Sequence, residues 1–282
     1  MIGIDIGGTK IEAVLLDKNF KIIKKTRLPT GPRTNKEKVI KNILKALKSV
    51  DDNKSSIGIG FPGIVDKGKI IGSQNITILK GYNLKSRIEK ETKRKVLIDN
   101  DANCFTIAET KIGSAKGAKN VVGITIGTGI GGGIISEGEL LHGFTGGAGE
   151  VGKIILDVKK NLTFEDLCSG TGITKRYKDL GGKIDNPDPK KIYYSKERLA
   201  KDIFSEFIDI MGTALASIAT TLNPEVIVIG GGVSNLPIIN DLKKSFKKHA
   251  KSKTIQKVTI KNSQIKASGA IGAALLHSSR TK

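Results

Sequence analysis

Ile124-Thr125-Ile126-Gly127-Thr128-Gly129-Ile130-Gly131-Gly132-Gly133 reads as a strand ending in a glycine-rich turn, with a second strand at Ile134–Ile135. The N-terminus repeats the arrangement in Ile2-Gly3-Ile4-Asp5-Ile6-Gly7-Gly8-Thr9-Lys10, where Ile- and Val-rich runs at 2–7 and 11–16 predict a hairpin. Glycine lets backbone N–H groups approach phosphate oxygens with no Cβ in the way. Either turn alone is as compatible with an ordinary hairpin as with phosphate binding. At matching positions in two halves of one chain they predict a duplicated fold that grips one polyphosphate from both sides. Asp5, just before the first turn, is placed to hold Mg²⁺ through water. The spacing G-x-x-x-x-G-K-[ST] is missing, which sets the chain apart from P-loop NTPases.

Outward from the two turns, the pattern alternates strands and helices. Val39, Ile43, Leu44 and Leu47 recur at helical spacing over 35–50, and the apolar run 56–61 reads as a buried strand closed by Pro62-Gly63. A short strand at 96–98 runs into Asp99-Asn100-Asp101, followed by a helix over 102–110. A long helix is expected from Arg198 to Leu222, ended by Asn223-Pro224, then a strand over 225–229 that meets Gly230-Gly231-Gly232. A strand at 258–260 precedes a small-residue-rich helix over 268–278. This order predicts an α/β protein of two related domains, each a mixed sheet flanked by helices, with a ligand cleft between them. The boundaries are set at 1–110 and 111–267, with a hinge near 107–120 and the terminal helix 268–282 packing back on the first domain.

With 282 residues the chain is long enough for a substantial core. No apolar run approaches the roughly 18 residues of a membrane span, and the first strand starts at Ile2 without a leader. Cys104 and Cys168 lie far apart, so the expectation is a reduced, cytoplasmic protein without a disulfide and without a membrane. The formal net charge is +21. Its densest patch, Lys243, Lys244, Lys247, Lys248, Lys251 and Lys253, is read as a solvated helix face rather than a nucleic-acid surface with rings that stack on bases.

Three polar clusters carry the chemistry. In Asp99-Asn100-Asp101 a carboxylate can take the proton of an attacking alcohol while the amide holds a neighbouring hydroxyl; the same residues are also favoured helix N-caps. Glu150 lies in the glycine-rich run Gly146-Gly147-Ala148-Gly149, and Glu165 precedes Asp166 at a helix start, where a carboxylate is also common for dipole reasons alone. Gly230-Gly231-Gly232 sits at the carboxyl end of a strand, where open α/β sheets bind ligands.

Together these stretches resemble the ROK family of sugar kinases, of the actin-like, hexokinase-like superfamily. The motifs are D-I-G-G-T-K at 5–10, G-I-G-F-P-G-I-V-D at 58–66, D-N-D-A-N at 99–103, G-T-G-I-G-G-G at 127–133, G-A-G-E-V-G at 147–152, E-D-L-C-S-G at 165–170 and V-I-G-G-G-V-S-N at 228–235. The resemblance implies two actin-like (ribonuclease H-like) domains and ATP-dependent phosphorylation of a hexose at its 6-hydroxyl, with glucose first. N-acetylglucosamine, N-acetylmannosamine, fructose or allose are alternative acceptors, and inorganic polyphosphate is an alternative donor. It implies Asp101 as catalytic base, with Gly63, Asn75, Asn100, Glu150 and Glu165 around the sugar. Gly7, Gly8, Thr9, Lys10, Gly127, Thr128 and Gly129 would contact phosphate, and Gly231, Gly232 and Asn235 the adenosine side. A homodimer and the cofactors ATP and Mg²⁺ follow from the same likeness. The family also contains sugar-sensing regulators with an N-terminal DNA-binding domain, for which a chain starting at its first strand is expected to leave no room.

Two departures stand out. The family's G-E-x-G-H becomes Gly149-Glu150-Val151-Gly152-Lys153, so a histidine that touches sugar and zinc is Lys153 here. The C-x-C-G-x-x-G-C segment is absent, since no residue from Lys153 to Phe164 is Cys or His. Both predict a member without zinc, and they leave the sugar specificity to Lys153.

Overall fold

The computed structural model describes residues 1–279 apart from Arg33 and Gln74. In chain order the first elements are β1 (Ile2–Ile6), β2 (Lys10–Leu16), β3 (Ile22–Pro29), α1 (Lys36–Val50) and β4 (Ile57–Phe61). A small hairpin follows, β5 (Ile64–Asp66) and β6 (Lys69–Gly72), then α2 (Leu84–Thr92), β7 (Val96–Asn100) and α3 (Asp101–Ile112). Next come β8 (Val121–Ile126), β9 (Ile130–Ser136), β10 (Glu139–Leu140), the hairpin β11 (Ile155–Asp157) and β12 (Leu162–Thr163), α4 (Phe164–Cys168), α5 (Gly170–Asp179), α6 (Pro189–Tyr193) and α7 (Arg198–Leu222). The chain closes with β13 (Val226–Gly230), α8 (Ile239–His249), β14 (Thr259–Asn262) and α9 (Ser268–Ser279).

Two five-stranded mixed sheets result, in the orders β3-β2-β1-β4-β7 and β10-β9-β8-β13-β14. In the first, β1 runs antiparallel to β2 and parallel to β4, which in turn is parallel to β7. In the second, β13 lies parallel to both β8 and β14. The chain packs as two units. One comprises Met1–Gly117, Gly133–Gly149 and the chain from Gln264 onward; the other comprises Ala118–Gly132 and Glu150–Ser263. Residues 133–149, placed with the second domain by the sequence boundaries above, pack with the first unit, where His142 bonds the buried Asp99.

Within the first unit, Ile2, Ile4 and Ile6 of β1 meet Ile40, Ile43 and Leu47 of α1 in one core. The terminal helix α9 packs on β1, β4 and α3. Gly3 and Gly58 make that closeness possible, since a Cβ there would fall 1.9 Å from the Ala270 carbonyl oxygen and 1.7 Å from that of Ala273. Of the range 268–282 assigned to this helix, 280–282 lie outside the described residues. In the second unit, α7 is long and apolar enough to cross a membrane, yet Ile203, Phe207, Met211, Leu215 and Ile218 are buried in a core with Ile227 and Ile229 of β13. It is a core helix. Phe246, the ring inside the lysine patch of α8, is buried in the same core and offers no face to a base.

Three details differ from the sequence expectations. Gly131–Gly133 belong to strand β9 rather than to a long turn. A side chain at Gly133 would strike the backbone of α3, its Cβ falling 2.8 Å from the Ala102 carbonyl oxygen. The strand at 96–98 continues through Asn100, because Asp99 and Asn100 pair with Gly60 and Phe61 of β4. The span 107–112, placed within the hinge, is the last half of α3, and the first unit's leading segment ends at Gly117.

Candidate active site

The junction of β7 and α3 sets the first unit's chemistry. Asn100 ends the strand with extended backbone and caps the helix, its Oδ1 accepting from the N–H groups of Ala102 (2.8 Å) and Asn103 (3.2 Å). Its Nδ2 donates to the carbonyl of Gly63 at 3.1 Å. The cap is therefore Asn100, which leaves Asp101 as the first helical residue, with Oδ1 accepting from Ala102 N–H at 2.9 Å. A carboxylate in a helix's first turn is stabilised as the anion by the unpaired N–H groups there.

Beneath this junction, Asp99 is 4% exposed. Its Oδ1 accepts from Asn100 N–H (2.8 Å) and Asn103 Nδ2 (2.8 Å), and its Oδ2 lies 2.7 Å from His142 Nε2. Burial works to raise this carboxyl, but the bonds from His142, Asn103 and Asn100 outweigh it and hold it below the usual carboxylate range. Sequence reasoning missed His142. The only local signal was a histidine beside a glycine in Leu141-His142-Gly143, and its partner lies 43 residues away.

The first glycine turn is pinned by Thr30, whose Oγ1 donates to Gly7 O (2.6 Å) and whose N–H donates to Thr9 O (3.0 Å). Gly7 N–H donates to Lys10 O at 2.8 Å, closing the turn, and Lys10 itself is exposed. Gly8 faces the side chain of Asn75, where an added Cβ would lie 3.3 Å from Asn75 Cβ. Burial pushes the Asp5 carboxyl up to about 6; Glu12, opposite it on β2, adds to the rise and Lys10 opposes it. A half-buried carboxylate of this kind suits a cation that also binds phosphate oxygens, which is how Mg²⁺ is held by one or two carboxylates.

In the second unit, the turn between β8 and β9 meets the start of α5: Gly170 N–H donates to Gly127 O at 2.8 Å and Thr171 N–H to Thr128 O at 3.4 Å. A cavity of about 800 Å³ opens there, lined among others by Gly127, Thr128, Thr171, Lys175, Lys178 and Gly232. An added Cβ at Gly127 or at Gly232 would meet no protein atom within 4 Å, and neither residue has a left-handed φ. The fold does not demand glycine at these two positions. The space they leave is what a ligand would use. Gly231 differs, with φ +90° and backbone of Ile126 against it, so it serves the turn itself. Asn235 ends a 3₁₀ turn, is exposed, and is not among the residues lining this cavity. The sequence reading also missed Thr171, Lys175 and Lys178, which two successive turns of α5 bring to the cavity.

Glu165 sits in the first turn of α4. Its Oε2 accepts from Ile130 N–H (2.7 Å), directly after the glycine turn, and its Oε1 accepts from Lys153 Nζ (2.7 Å). Glu150 is exposed, and its carbonyl starts the 3₁₀ turn that carries Lys153. Zinc does not fit this surrounding. Lys153 offers an ammonium with no lone pair, and burial pushes the Cys168 thiol well above its ordinary value. Among the described residues no group of three or more His, Cys, Asp or Glu could hold a metal ion.

Comparison with known proteins gives a consistent answer. A model of the ROK family matches residues 1–280. A glucokinase of Halalkalibacterium halodurans is 35% identical, over 88% of this chain and 86% of that protein. An N-acetyl-D-glucosamine kinase of Photobacterium profundum is 31% identical over 98% of both. Among solved structures, a ROK family glucokinase from Streptomyces griseus in complex with glucose and AMPPNP superposes with a TM-score of 0.84 at 28% identity, covering 98% of each chain.

Proposed function

Because the chain belongs to the ROK family, we propose that it transfers the γ-phosphoryl group of ATP to the 6-hydroxyl of a hexose, with glucose as first acceptor. The observation that carries this reading is the β7–α3 junction, where Asn100 takes the cap and Asp101, the first helical residue, places a carboxylate beside it. Asp101 takes the proton of the attacking hydroxyl, while Asn100, Gly63 and Asn75 hold the sugar. Glu165 has one oxygen fixed by Lys153 and the other by Ile130 N–H, so its remaining lone pairs accept sugar hydroxyls in a set direction. Glu150 adds a second carboxylate. Lys153 takes over the orienting task that the family pattern gives to histidine.

Gly7, Gly8, Thr9, Lys10, Gly127, Thr128 and Gly129 bind the polyphosphate, and Gly232, which lines the second unit's cavity, the adenosine side, with Gly231 shaping the turn and Asn235 outside the cavity lining. Mg²⁺ held through Asp5 would neutralise phosphate charge, as phosphoryl transfer requires. The remainder is positioning and electrostatics by the chain's own groups.

A substrate panel tests this reading: kcat/KM for glucose, N-acetylglucosamine, N-acetylmannosamine, fructose and allose, each with ATP and with inorganic polyphosphate. The highest value is expected for glucose with ATP. A clear preference for N-acetylglucosamine, the sugar in the Photobacterium relative's name, would move the acceptor assignment; turnover of no sugar would end the proposal.

Two smaller tests belong here. Gly127→Ala places a methyl into the open cavity without touching protein. The expected result is an ATP KM raised about tenfold or more, equivalent to roughly 1.4 kcal/mol, with thermal stability unchanged or slightly higher. An unchanged ATP KM would remove this turn from the nucleotide site.

The second concerns pH. Asp5 has its carboxyl raised from 3.8 to about 6 in the fold. Below the lower value it is protonated in both folded and unfolded chains and contributes nothing. Through the window up to about 6 the unfolded chain ionises first, so folding loses stability as pH rises, and above it the full cost of the half-buried charge applies. Asp5→Asn should therefore raise the melting temperature of the nucleotide-free protein at about pH 7.5 and leave it unchanged near pH 4. Thermal denaturation at the two pH values reads this, and an equal shift at both would contradict it.

A further inference from the structure

We infer that His142 is a positioning residue for phosphoryl transfer, holding through the buried Asp99 the strand-to-helix junction that presents Asn100 and Asp101. The inference rests on the reading of Asp101 as the base and extends it to a residue outside the reacting groups.

The argument starts from the Asp99 carboxylate. It lies at the end of β7, is nearly inaccessible, and touches three separate pieces of the chain. Its Oδ1 takes the N–H of Asn100, the residue that caps α3, and the side-chain amide of Asn103 in the first turn of α3. Its Oδ2 takes His142 from the 133–149 segment. A carboxylate held below its usual range is ionised and can only accept, so the proton in this contact is on Nε2 of the imidazole. Each of these bonds is charge-assisted and anchored on a buried carboxylate, although the imidazole itself is partly exposed, and bonds to a charged acceptor are stronger than neutral ones.

Removing the imidazole takes a charge-assisted donor away from a buried carboxylate. Its remedies are to turn toward water or to take up a proton. Either one disturbs the bond from Asn100 N–H, and Asn100 is the residue whose Oδ1 fixes the first turn of α3 and whose Nδ2 reaches Gly63. A shift there displaces the Asp101 carboxylate and the sugar-facing amide together. The bonds that shape the glycine turns run to Thr30, Lys10, Gly170 and Thr171 rather than through Asp99, so their grip is expected to stay as it is. The effect of losing His142 is thus a fall in kcat and a rise in sugar KM, without a change in nucleotide KM.

The test uses two polar replacements of similar foldability. In His142→Gln the amide nitrogen falls where Nε2 was and can still donate to Asp99; in His142→Asn it is one bond shorter and cannot. Steady-state kinetics on the full chain, with melting temperature recorded for each variant, reads the outcome. The expected result is that the Asn variant loses at least about fivefold in kcat with ATP KM unchanged, and that the Gln variant recovers more than half of that loss. Misplacement of a reacting group by an ångström can cost about 10²-fold, so fivefold is a conservative threshold. A smaller loss in the Asn variant, an equal loss in the Gln variant, or a parallel rise in ATP KM overturns the inference. Failure of this proposal is separable from failure of the proposed function. If Asp101→Asn abolishes turnover while His142→Asn does not slow it, only the positioning role falls. If Asp101→Asn turns over normally, the base assignment falls first.

Discussion

Asp101→Asn is expected to lower kcat by roughly 10²–10⁴-fold, the range that a positioned general base contributes, while the protein keeps its fold and most of its sugar affinity. The substitution is nearly isosteric. An amide oxygen can still accept from Ala102 N–H, as Asp101 Oδ1 does at 2.9 Å, and Asn100 still caps the helix. The loss of a negative charge in the first turn of α3 costs about 0.3–1 kcal/mol of stability, too little to unfold a chain of this size. The two effects separate cleanly: melting temperature reads the helix, and kcat reads the proton transfer. Turnover near that of the wild type in a folded variant would show that another group takes the proton.

The second large effect is structural. Gly272 lies in α9 where that helix meets α3, and an added Cβ there would fall 1.6 Å from the carbonyl oxygen of Cys104. Backbone is on both sides of this contact, so no side chain can turn aside. Gly58 of β4 meets α9 as closely, its Cβ position being 1.7 Å from the Ala273 carbonyl oxygen. Gly272→Ala must therefore push α9 off α3. Ordinary overpacking costs about 1–3 kcal/mol and sometimes more; a backbone clash belongs at or above the top of that range. Against a total of about 5–15 kcal/mol for a typical domain, the expected outcome is a melting temperature lower by many degrees or failure to accumulate as folded protein. Since α3 carries Asp101, activity should fall with the packing. A variant as stable as the parent would mean that the two helices are further apart than described here.

Much of this architecture is written locally. The β1–β2 hairpin follows from Ile and Val around Gly7-Gly8, and α1 from Val39, Ile43 and Leu47 at helical spacing; α7 begins and ends at the residues read from the sequence, Arg198 and Leu222. What escaped notice is polar. The edge strand β3, Ile-Ile-Lys-Lys-Thr-Arg-Leu-Pro, carries the charges that edge strands use against aggregation, so its alternation is hidden. Helices α2 and α5 are short and lysine-rich, and their few buried positions, such as Leu84 and Ile88 or Ile173 and Tyr177, are too sparse to show a period.

The candidate site divides in the same way. Asp101, Glu165 and the two glycine turns stand out as candidates in the sequence because their motifs are contiguous. The Lys153–Glu165 contact spans a chain segment that the family pattern fills differently, and the His142–Asp99 contact joins residues 43 apart whose pairing depends on where 133–149 packs. Long-range partners of this kind leave no local periodicity. They appear only with the fold.

The central claim, phosphoryl transfer from ATP to a sugar hydroxyl with Asp101 as base, is tested most directly by following the phosphoryl group itself. Wild-type protein and Asp101→Asn are each incubated with γ-labelled ATP, Mg²⁺ and glucose, and the products are separated and assigned by phosphorus NMR. The account predicts label on the 6-oxygen of the sugar in the wild type and loss of nearly all of that transfer in the variant. Label found only in inorganic phosphate whatever sugar is supplied, or equal sugar labelling by both proteins, would contradict it.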